Sequence, residues 1–372
     1  MGKNKKIFTG LIVLAVVVVG VWYGVSGGGK NNQVSQRAVV KIGVILPLTG
    51  STAFMGESCQ KAITMAQEQL GNTKYDYQVI FEDDAMDKVK TATAFSKLAN
   101  ADKVDAVISW SSGGGNVVAP LAQQNKIIHF GMATDPNVAK GDYNFIHITP
   151  PESEALKMVQ ELERRQIKKI AFIGLNQEGQ AAIFNFLQSK MADSGIEIVY
   201  DALLPGEQMD FKTEIQKIKN AKPQIILADF FPPQIEVFAS QIKELGIDTP
   251  LTAIEAFEFS EKPELFNGFW YVQVADPTND FIKMYKDKYN DEPKLTAANG
   301  FDIFNLLVKG FETASQSQKI KPAREEVIKA LSGIKDFPGA VGLISVAPET
   351  GIVWSEAVVR MIKDGKPVTI GQ

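Results

Sequence analysis

The run Val39–Leu46, VVKIGVIL, is apolar at seven of its eight positions and stops at Pro47. A continuous apolar run of this length suits a strand buried on both faces of a parallel sheet. Behind it, Glu57–Leu70 places Cys59, Ala62, Ile63, Ala66 and Leu70 at helical spacing. The alternation continues with predicted strands at Tyr77–Asp83, Asp105–Ser109, Lys126–Phe130 and Asn144–Thr149, and helices at Lys88–Ala101 and Asn116–Gln124. It restarts after Pro150-Pro151 with a helix at Glu152–Arg165 and strands at Lys169–Leu175, Ile196–Leu203 and Gln224–Asp229, separated by helices at Gln180–Ser194 and Phe211–Asn220. A helix at Pro233–Leu245 and short strands at Pro250–Ala253 and Phe269–Val274 come next. Helices at Asp280–Tyr289, Ala297–Thr313 and Pro322–Leu331 precede closing strands at Gly342–Val346 and Trp354–Ile362. Two runs of βα units predict an α/β protein of two lobes, each a parallel sheet covered by helices.

Ahead of β-type sequence lies a different segment. Ile7 to Val25 is 19 residues without a charge, and Leu11–Val19 is wholly aliphatic. A helix of that length is about 28 Å long, close to the hydrocarbon thickness of a bilayer. Lys3, Lys5 and Lys6 precede it, and Trp22 and Tyr23 close it, which predicts a transmembrane anchor with a cytoplasmic stub and an extracytoplasmic body. Residues 1–37 then comprise stub, anchor (7–25) and linker. A cleaved signal peptide is the alternative; the apolar run is long for one, and Val25-Ser26-Gly27 is a poor cleavage site. The formal charge of −4 divides accordingly: five basic groups and no acid lie in residues 1–37, leaving 34 basic and 43 acidic groups, a net −9, in the remainder. An acidic body without a basic groove argues against nucleic-acid binding. One cysteine and two histidines exclude an internal disulfide and a Cys/His zinc cluster.

Ligands of open α/β sheets bind outside the carboxyl ends of the strands, so the residues just after each strand carry the functional reading. After Asp105–Ser109 comes Trp110-Ser111-Ser112-Gly113-Gly114-Gly115 and then a helix. Such a turn presents backbone N–H groups and the positive end of the helix dipole, suited to a carboxylate or phosphate; a plain N-cap with flexible glycines is the other reading. The turn lacks the Lys-Ser/Thr of a P-loop. Gly131-Met132-Ala133-Thr134-Asp135-Pro136 is a second polar turn, whose Thr134 either hydrogen-bonds a ligand or organises the turn. Phe230-Phe231-Pro232-Pro233 follows another strand and reads as an apolar wall or as core, while Glu178 and Glu255 follow two more. His129 and His147 lie in apolar strands and read as structural; Cys59 reads as a small core residue. The acidic cluster Glu82-Asp83-Asp84 with Asp87 lacks the glycine turn of a hard-cation loop and reads as a solvated strand end. No Gly-x-Ser-x-Gly elbow is present.

Ile42-Gly43-Val44-Ile45-Leu46-Pro47-Leu48-Thr49-Gly50, followed by Ala53 and Gly56, resembles the opening of Leu/Ile/Val-binding-protein-like receptors, the substrate-binding components of branched-chain amino-acid ABC transporters. Asp83-Asp84, Ser111-Ser112, Ala133-Thr134-Asp135-Pro136, Gly206 with Asp210-Phe211, and the Gly351 to Gly365 stretch fit the same pattern in order, over about residues 39–365. The resemblance implies a type I periplasmic-binding-protein fold: two Rossmann-like lobes joined by a three-strand hinge, closing on ligand. It places lobe one at 39–150 plus 278–345 and lobe two at 151–277 plus 346–372. It implies a ligand carboxylate held by Ser111, Met132 through its backbone, and Thr134, with Ser112 in the same turn. It further implies a ligand ammonium held by Glu255 and an aromatic, Phe230, closing over the ligand.

Glu178 stands where an aromatic is usual, and Met55 and Trp110 also depart from the commonest family residues. The family disulfide is absent. A carboxylate at Glu178 predicts a shift toward a polar or cationic ligand. The expected function is extracytoplasmic capture of an amino acid or similar small organic ligand for delivery to ABC permease subunits, without catalysis or cofactor. A sensor domain of the same fold signalling to a partner protein is the alternative.

Overall fold

A computed structural model describes residues 37–370 except 275 and 354. The chain opens with β1 (Val39–Leu46), α1 (Ala53–Glu68), β2 (Asp76–Asp83), α2 (Lys88–Lys97), β3 (Ala106–Trp110), α3 (Ser112–Asn125), β4 (Ile128–Met132) and β5 (Asn144–His147). It continues with α4 (Pro151–Arg164), β6 (Lys169–Leu175), α5 (Glu178–Ser194), β7 (Glu197–Leu204), α6 (Lys212–Ala221), β8 (Ile225–Asp229), α7 (Gln234–Glu244), β9 (Leu251–Thr252) and β10 (Trp270–Val274). Helices α8 (Asn279–Tyr289), α9 (Ala297–Ala314) and α10 (Arg324–Ser332) lead to β11 (Phe337–Gly339), β12 (Gly342–Ile344), β13 (Ile352–Val353), β14 (Ala357–Lys363) and β15 (Lys366–Thr369).

Strand β1 behaves as its composition requires. It pairs in parallel with β2 on one side and β3 on the other. Its alternate residues Val40, Ile42, Val44 and Leu46 enter one core with Cys59 and Ile63 of α1 and Ile303, Phe304 and Leu307 of α9. Ile45 points the other way, into a core with Phe95, Leu98 and Val118. Each such side chain contributes about 1.5–3 kcal/mol on leaving water, which is why this strand carries no polar face. The full sheet runs β13-β5-β4-β3-β1-β2, all parallel.

The second lobe is built on the parallel order β7-β6-β8-β9. A parallel bridge from Ile254 to Val272 links it to the antiparallel order β10-β14-β15. Two cores sandwich these strands, one around Phe211, Phe230, Phe238 and Phe257 and one around Met158, Phe172, Leu187 and Trp270. The chain passes between lobes near 148–150, 274–278 and 353–357. The first and third of these crossings are tied by Thr149 Oγ1 and Ser355 Oγ at 2.9 Å. Ser153 Oγ accepts from Ala357 N at 3.1 Å, and Thr278 N donates to Ala340 O at 2.7 Å in the second crossing.

The expectation of a transmembrane helix needs correction. No helix among the described residues is long and apolar enough to cross a membrane, and the run 7–25 lies outside the described residues. The longest described helix, α9, buries one face on the first sheet and carries Lys309 and Glu312 elsewhere, as an amphipathic covering helix must. The fold is thus the two-lobed α/β body. Among the described residues nothing supports the membrane anchor, the single-pass topology or the membrane as a partner through an N-terminal helix.

A second difference concerns α3. Glycine's poor helix propensity predicted a loop over 113–115, yet the helix begins at Ser112. Packing overrides propensity here: a Cβ on Gly115 would sit 2.7 Å from Val138 Cγ1, so the helix needs a bare backbone at that point.

Candidate functional site

A cleft of about 1680 Å³ lies between the lobes. Its walls include Trp110 and Met132 at the carboxyl ends of β3 and β4, and Leu175 and Asp229 at those of β6 and β8.

On the lobe-one wall, Ser111 caps α3 from a left-handed backbone, φ +69°. Its Oγ accepts from Gly114 N at 3.1 Å, and its N–H donates to Met132 O at 3.0 Å. Ser112 Oγ accepts from Thr134 N at 3.1 Å and from Asp135 N at 3.0 Å. Asp135 in turn accepts from Asn116 Nδ2 at 2.7 Å and from Asn137 N at 2.9 Å. The serine turn and the threonine turn are therefore one hydrogen-bonded unit. Ser112 and Gly113, as the first helical residues, have no intrahelical acceptor for their N–H groups. With both Ser112 lone pairs engaged, its hydroxyl proton is left to donate. The wall presents donors and a helix dipole, the chemistry of a carboxylate site. Trp110 Nε1 donates to Thr296 Oγ1 at 2.8 Å and fixes the indole at the cleft's edge.

The N-terminus of α5 approaches from lobe two. A Cβ on Gly179 would lie 3.3 Å from Ser112 Oγ and 3.8 Å from Thr134 Cβ, so the helix starts of α3 and α5 face each other closely. Beside them Lys88 of lobe one pairs with Glu178 of lobe two across the cleft. Burial works to raise the Glu178 carboxyl, but the hydrogen bond and charge of Lys88 hold it below the usual carboxylate range.

The lobe-two wall is acidic. Glu255 sits after β9 with a left-handed backbone, φ +62°, anchored by its N–H to Val272 O at 2.8 Å. Glu154 of α4 is fully buried and Asp229 at the end of β8 is 4% exposed. Both Glu154 carboxyl oxygens and Asp229 Oδ2 have no hydrogen-bond donor among the described residues. Burial raises the Glu255 carboxyl to about 7. Burial, with the neighbouring Glu255 charge, pushes Glu154 and Asp229 well above their ordinary values. The Glu255 charge is among the causes that raise Glu154. By contrast, Glu258 is satisfied: it accepts from Tyr271 OH at 2.6 Å and pairs with Arg360, which also pairs with Asp276.

Ser111, Ser112, Met132, Thr134, Glu178 and Glu255 all line the cleft. Phe230 does not. It is 1% exposed and packs on Phe211 and Phe238, ring centroids 5.0 and 5.3 Å away. Its neighbour Phe231 lines the cleft instead, 5.7 Å from Phe259. Sequence reasoning also missed Lys88, Asp229 and Glu154. Asp229 ends a predicted strand, where the strand-end rule applies. Glu154 lies four residues before Met158 on the buried face of its helix, a spacing that marks it as a buried acid.

His129, His147 and Cys59 stand away from the cleft. His129 lies between Ser109 Oγ at 2.7 Å and Asn144 Oδ1 at 3.0 Å, fully buried, with burial lowering its pKa to about 4. Cys59 is buried against Met132 Sδ at 3.5 Å. The acidic cluster is a set of turn fasteners rather than a merely solvated strand end. Asp83 Oδ1 accepts from Leu48 N at 2.8 Å, Asp87 caps α2, and Asp84 accepts from Thr91 Oγ1 at 2.8 Å. Among the described residues no three His, Cys, Asp or Glu side chains are grouped to hold a metal ion.

The family model described as "Periplasmic binding protein" matches residues 39–366. Leu/Ile/Val-binding protein homolog 7 of Brucella abortus is 20% identical over 339 residues, 80% of this chain and 84% of the relative. A leucine-, isoleucine-, valine-, threonine- and alanine-binding protein of Pseudomonas aeruginosa is 24% identical over 303 residues, 76% of this chain and 81% of the relative. Among solved structures, a leucine-binding protein of Thermotoga maritima superposes with a TM-score of 0.81 at 24% identity, covering 89% of this chain and 98% of that one. A solute-binding protein of Rhodopseudomonas palustris, in complex with 3,4-dihydroxybenzoic acid, gives 0.77 at 21% identity, covering 90% and 96%. These structural likenesses establish the shared fold, and the family match extends over nearly the whole two-lobed body. The chain belongs to the periplasmic binding proteins of the type I fold, Leu/Ile/Val-binding-protein-like, a family of non-catalytic binding proteins.

Proposed function

We propose that this protein is an extracytoplasmic solute-binding protein that captures an amino acid or a similar small zwitterion between its lobes and delivers it to an ABC permease. The observation that carries this reading is the opposed chemistry of the two walls. Hydrogen-bond donors at the start of α3 face carboxylates on lobe two, the arrangement a zwitterion needs. In this reading Ser111, Ser112, Thr134 and the backbone beside Met132 hold the ligand carboxylate, and Glu255 holds its ammonium. Phe231, rather than Phe230, covers the bound solute. Glu178 with Lys88 fastens the closed lobes and leaves specificity to other residues. The names of the relatives, which include leucine-binding proteins, support an amino acid as the ligand class. We assign the lobes as 39–150 plus 278–353 and 151–277 plus 355–370. The pairing of β13 with β5 argues for moving the last crossing to just after Val353.

The test is a thermal-shift screen of the full chain against amino acids, amines, amides and short carboxylates. A ligand that binds the native form raises the melting temperature by mass action. A hit lost in both Thr134→Ala and Glu255→Ala is expected; a hit that survives both removes the site assignment.

A further inference from the structure

We propose, building on the amino-acid reading of this cleft, that its lobe-two wall selects a ligand with two cationic nitrogen centres, one at Glu255 and one at Asp229. The chemical class is a basic amino acid: a zwitterion whose side chain ends in an ammonium or guanidinium group.

The argument is one of satisfied and unsatisfied charge. An ordinary amino acid brings one ammonium, and one carboxylate answers it. Glu255 and Asp229 both line the cleft, Glu154 lies fully buried beside Glu255, and Glu154 and Asp229 hold oxygens that no donor among the described residues reaches. Asp229 is 4% exposed yet lines the cleft, so its free Oδ2 is a buried acceptor at the ligand's edge. An acceptor with no protein donor is unfavourable when buried, and a multi-donor cation relieves it. The other charged groups near the wall are already matched. Glu258 is held by Arg360 and Tyr271, Arg360 also by Asp276, and Glu178 by Lys88. The selectivity that Glu178 suggested in the sequence therefore moves to Glu154 and Asp229. A metal ion is a poorer fit, since among the described residues no three acidic side chains are grouped to coordinate one. The wider field agrees: nine Asp and Glu residues line the cleft against three Lys and Arg, a balance that attracts cations.

The groups facing the triad are Glu258 after β9, Tyr271 on β10 and Arg360 on β14. None supplies a proton that the triad lacks. Burial holds protons on these carboxyls, so entry of a second cation drives a proton from them to solvent.

The experiment is isothermal titration calorimetry of the full chain at pH 7 in two buffers of different ionisation enthalpy. The probes are L-arginine, L-ornithine, putrescine, L-leucine and L-citrulline, the neutral isostere of arginine. Arginine or ornithine is expected to bind at least tenfold tighter than citrulline and leucine, with net proton release. Asp229→Asn and Glu154→Gln are each expected to cut that advantage below threefold. Citrulline or leucine binding within threefold of arginine and ornithine, or tighter, overturns the proposal. So does an advantage that neither substitution reduces. The comparison of arginine with citrulline needs no variant, so a folding defect cannot mask the answer. If leucine binds in a Thr134-dependent way while arginine and ornithine do not, the amino-acid reading stands and this inference falls. If putrescine binds tightest, the dicationic wall is supported and the carboxylate contact of the amino-acid reading fails. If none of the five binds, both fall.

Discussion

Replacing Glu255 with glutamine should stabilise the ligand-free protein at alkaline pH and leave it nearly unchanged in mild acid. Glu255 has a carboxyl raised from 4.5 to about 7, chiefly by burial. Below pH 4.5 folded and unfolded chains both hold this proton, and the group imposes no penalty. Between pH 4.5 and 7 the unfolded chain releases the proton while the folded one keeps it, so stability falls as pH rises. Above pH 7 the loss is complete, at about 3 kcal/mol by the linkage of 1.36 kcal/mol per pKa unit. Because the Glu255 charge also acts on Glu154, part of this belongs to the pair, and the gain expected for Glu255→Gln at pH 8 is about 1–3 kcal/mol. His129 acts in the opposite sense. Its pKa, lowered from 6.5 to about 4 by burial, makes stability fall as pH drops through that range. The informative quantity is thus the difference between variant and parent at each pH. Urea unfolding from pH 4.5 to 8.5 measures it, and with a slope of roughly 3 kcal/mol per molar the midpoint should shift by up to about 1 M. A difference that stays constant with pH, or a variant less stable than the parent at pH 8, would refute an uncompensated carboxyl at this site.

Ser112→Ala removes the acceptor of two N–H groups, those of Thr134 and Asp135; a loss of about 1–3 kcal/mol is expected, with at least tenfold weaker ligand binding, and unchanged affinity in calorimetry would contradict it. Gly179→Val places branched carbon against Ser112 and Thr134, so the lobes should stay apart; ligand-bound protein should keep the larger radius of gyration of the open form in X-ray scattering, and normal compaction would exclude the close approach. His129→Gln disturbs a buried bond to Ser109 and should cost about 1–3 kcal/mol while moving ligand affinity less than twofold; a large affinity loss would give His129 a place in binding. Lys88→Met deletes an ion pair whose lysine is more than half exposed and should change stability by less than about 1 kcal/mol; a larger shift in the thermal midpoint would mean that the pair is shielded from water.

How much of this was legible depends on how local the deciding physics is. Strand β1 announced itself because burial on both faces excludes polar residues from nearly every position. The lobe-one turns were legible for a similar reason: the strand, the cap and the helix start that form them lie within a few residues. The start of α3 was misread because the demand for a bare backbone at Gly115 comes from Val138, 23 residues on. Phe230 and Phe231 were exchanged because successive side chains past a strand end point to opposite sides, and sequence does not fix which side faces the cleft. Glu178 looked like a free specificity charge because its partner, Lys88, is 90 residues earlier. Glu154 and Asp229 were hidden for the same reason: 75 residues separate them, and each looks ordinary until the fold brings both to Glu255.

That convergence is itself informative about how such a protein works. A sequence shaped only for stability would not bury carboxyl groups such as Glu154 and Asp229 with oxygens left unpaired among the described residues, since replacing them with neutral isosteres removes the penalty. Local rules are broken where function requires it. A cation bound at these carboxylates relieves the unfavourable term, so that relief adds to the affinity, and the same term that lowers stability at neutral pH favours binding. Thermal stabilisation by a true ligand should then exceed what a neutral analogue gives at equal saturation, and the excess should shrink as pH falls below about 7, where binding must first displace the Glu255 proton. An excess that persists unchanged in acid would mean that the gain comes from contacts other than these carboxylates.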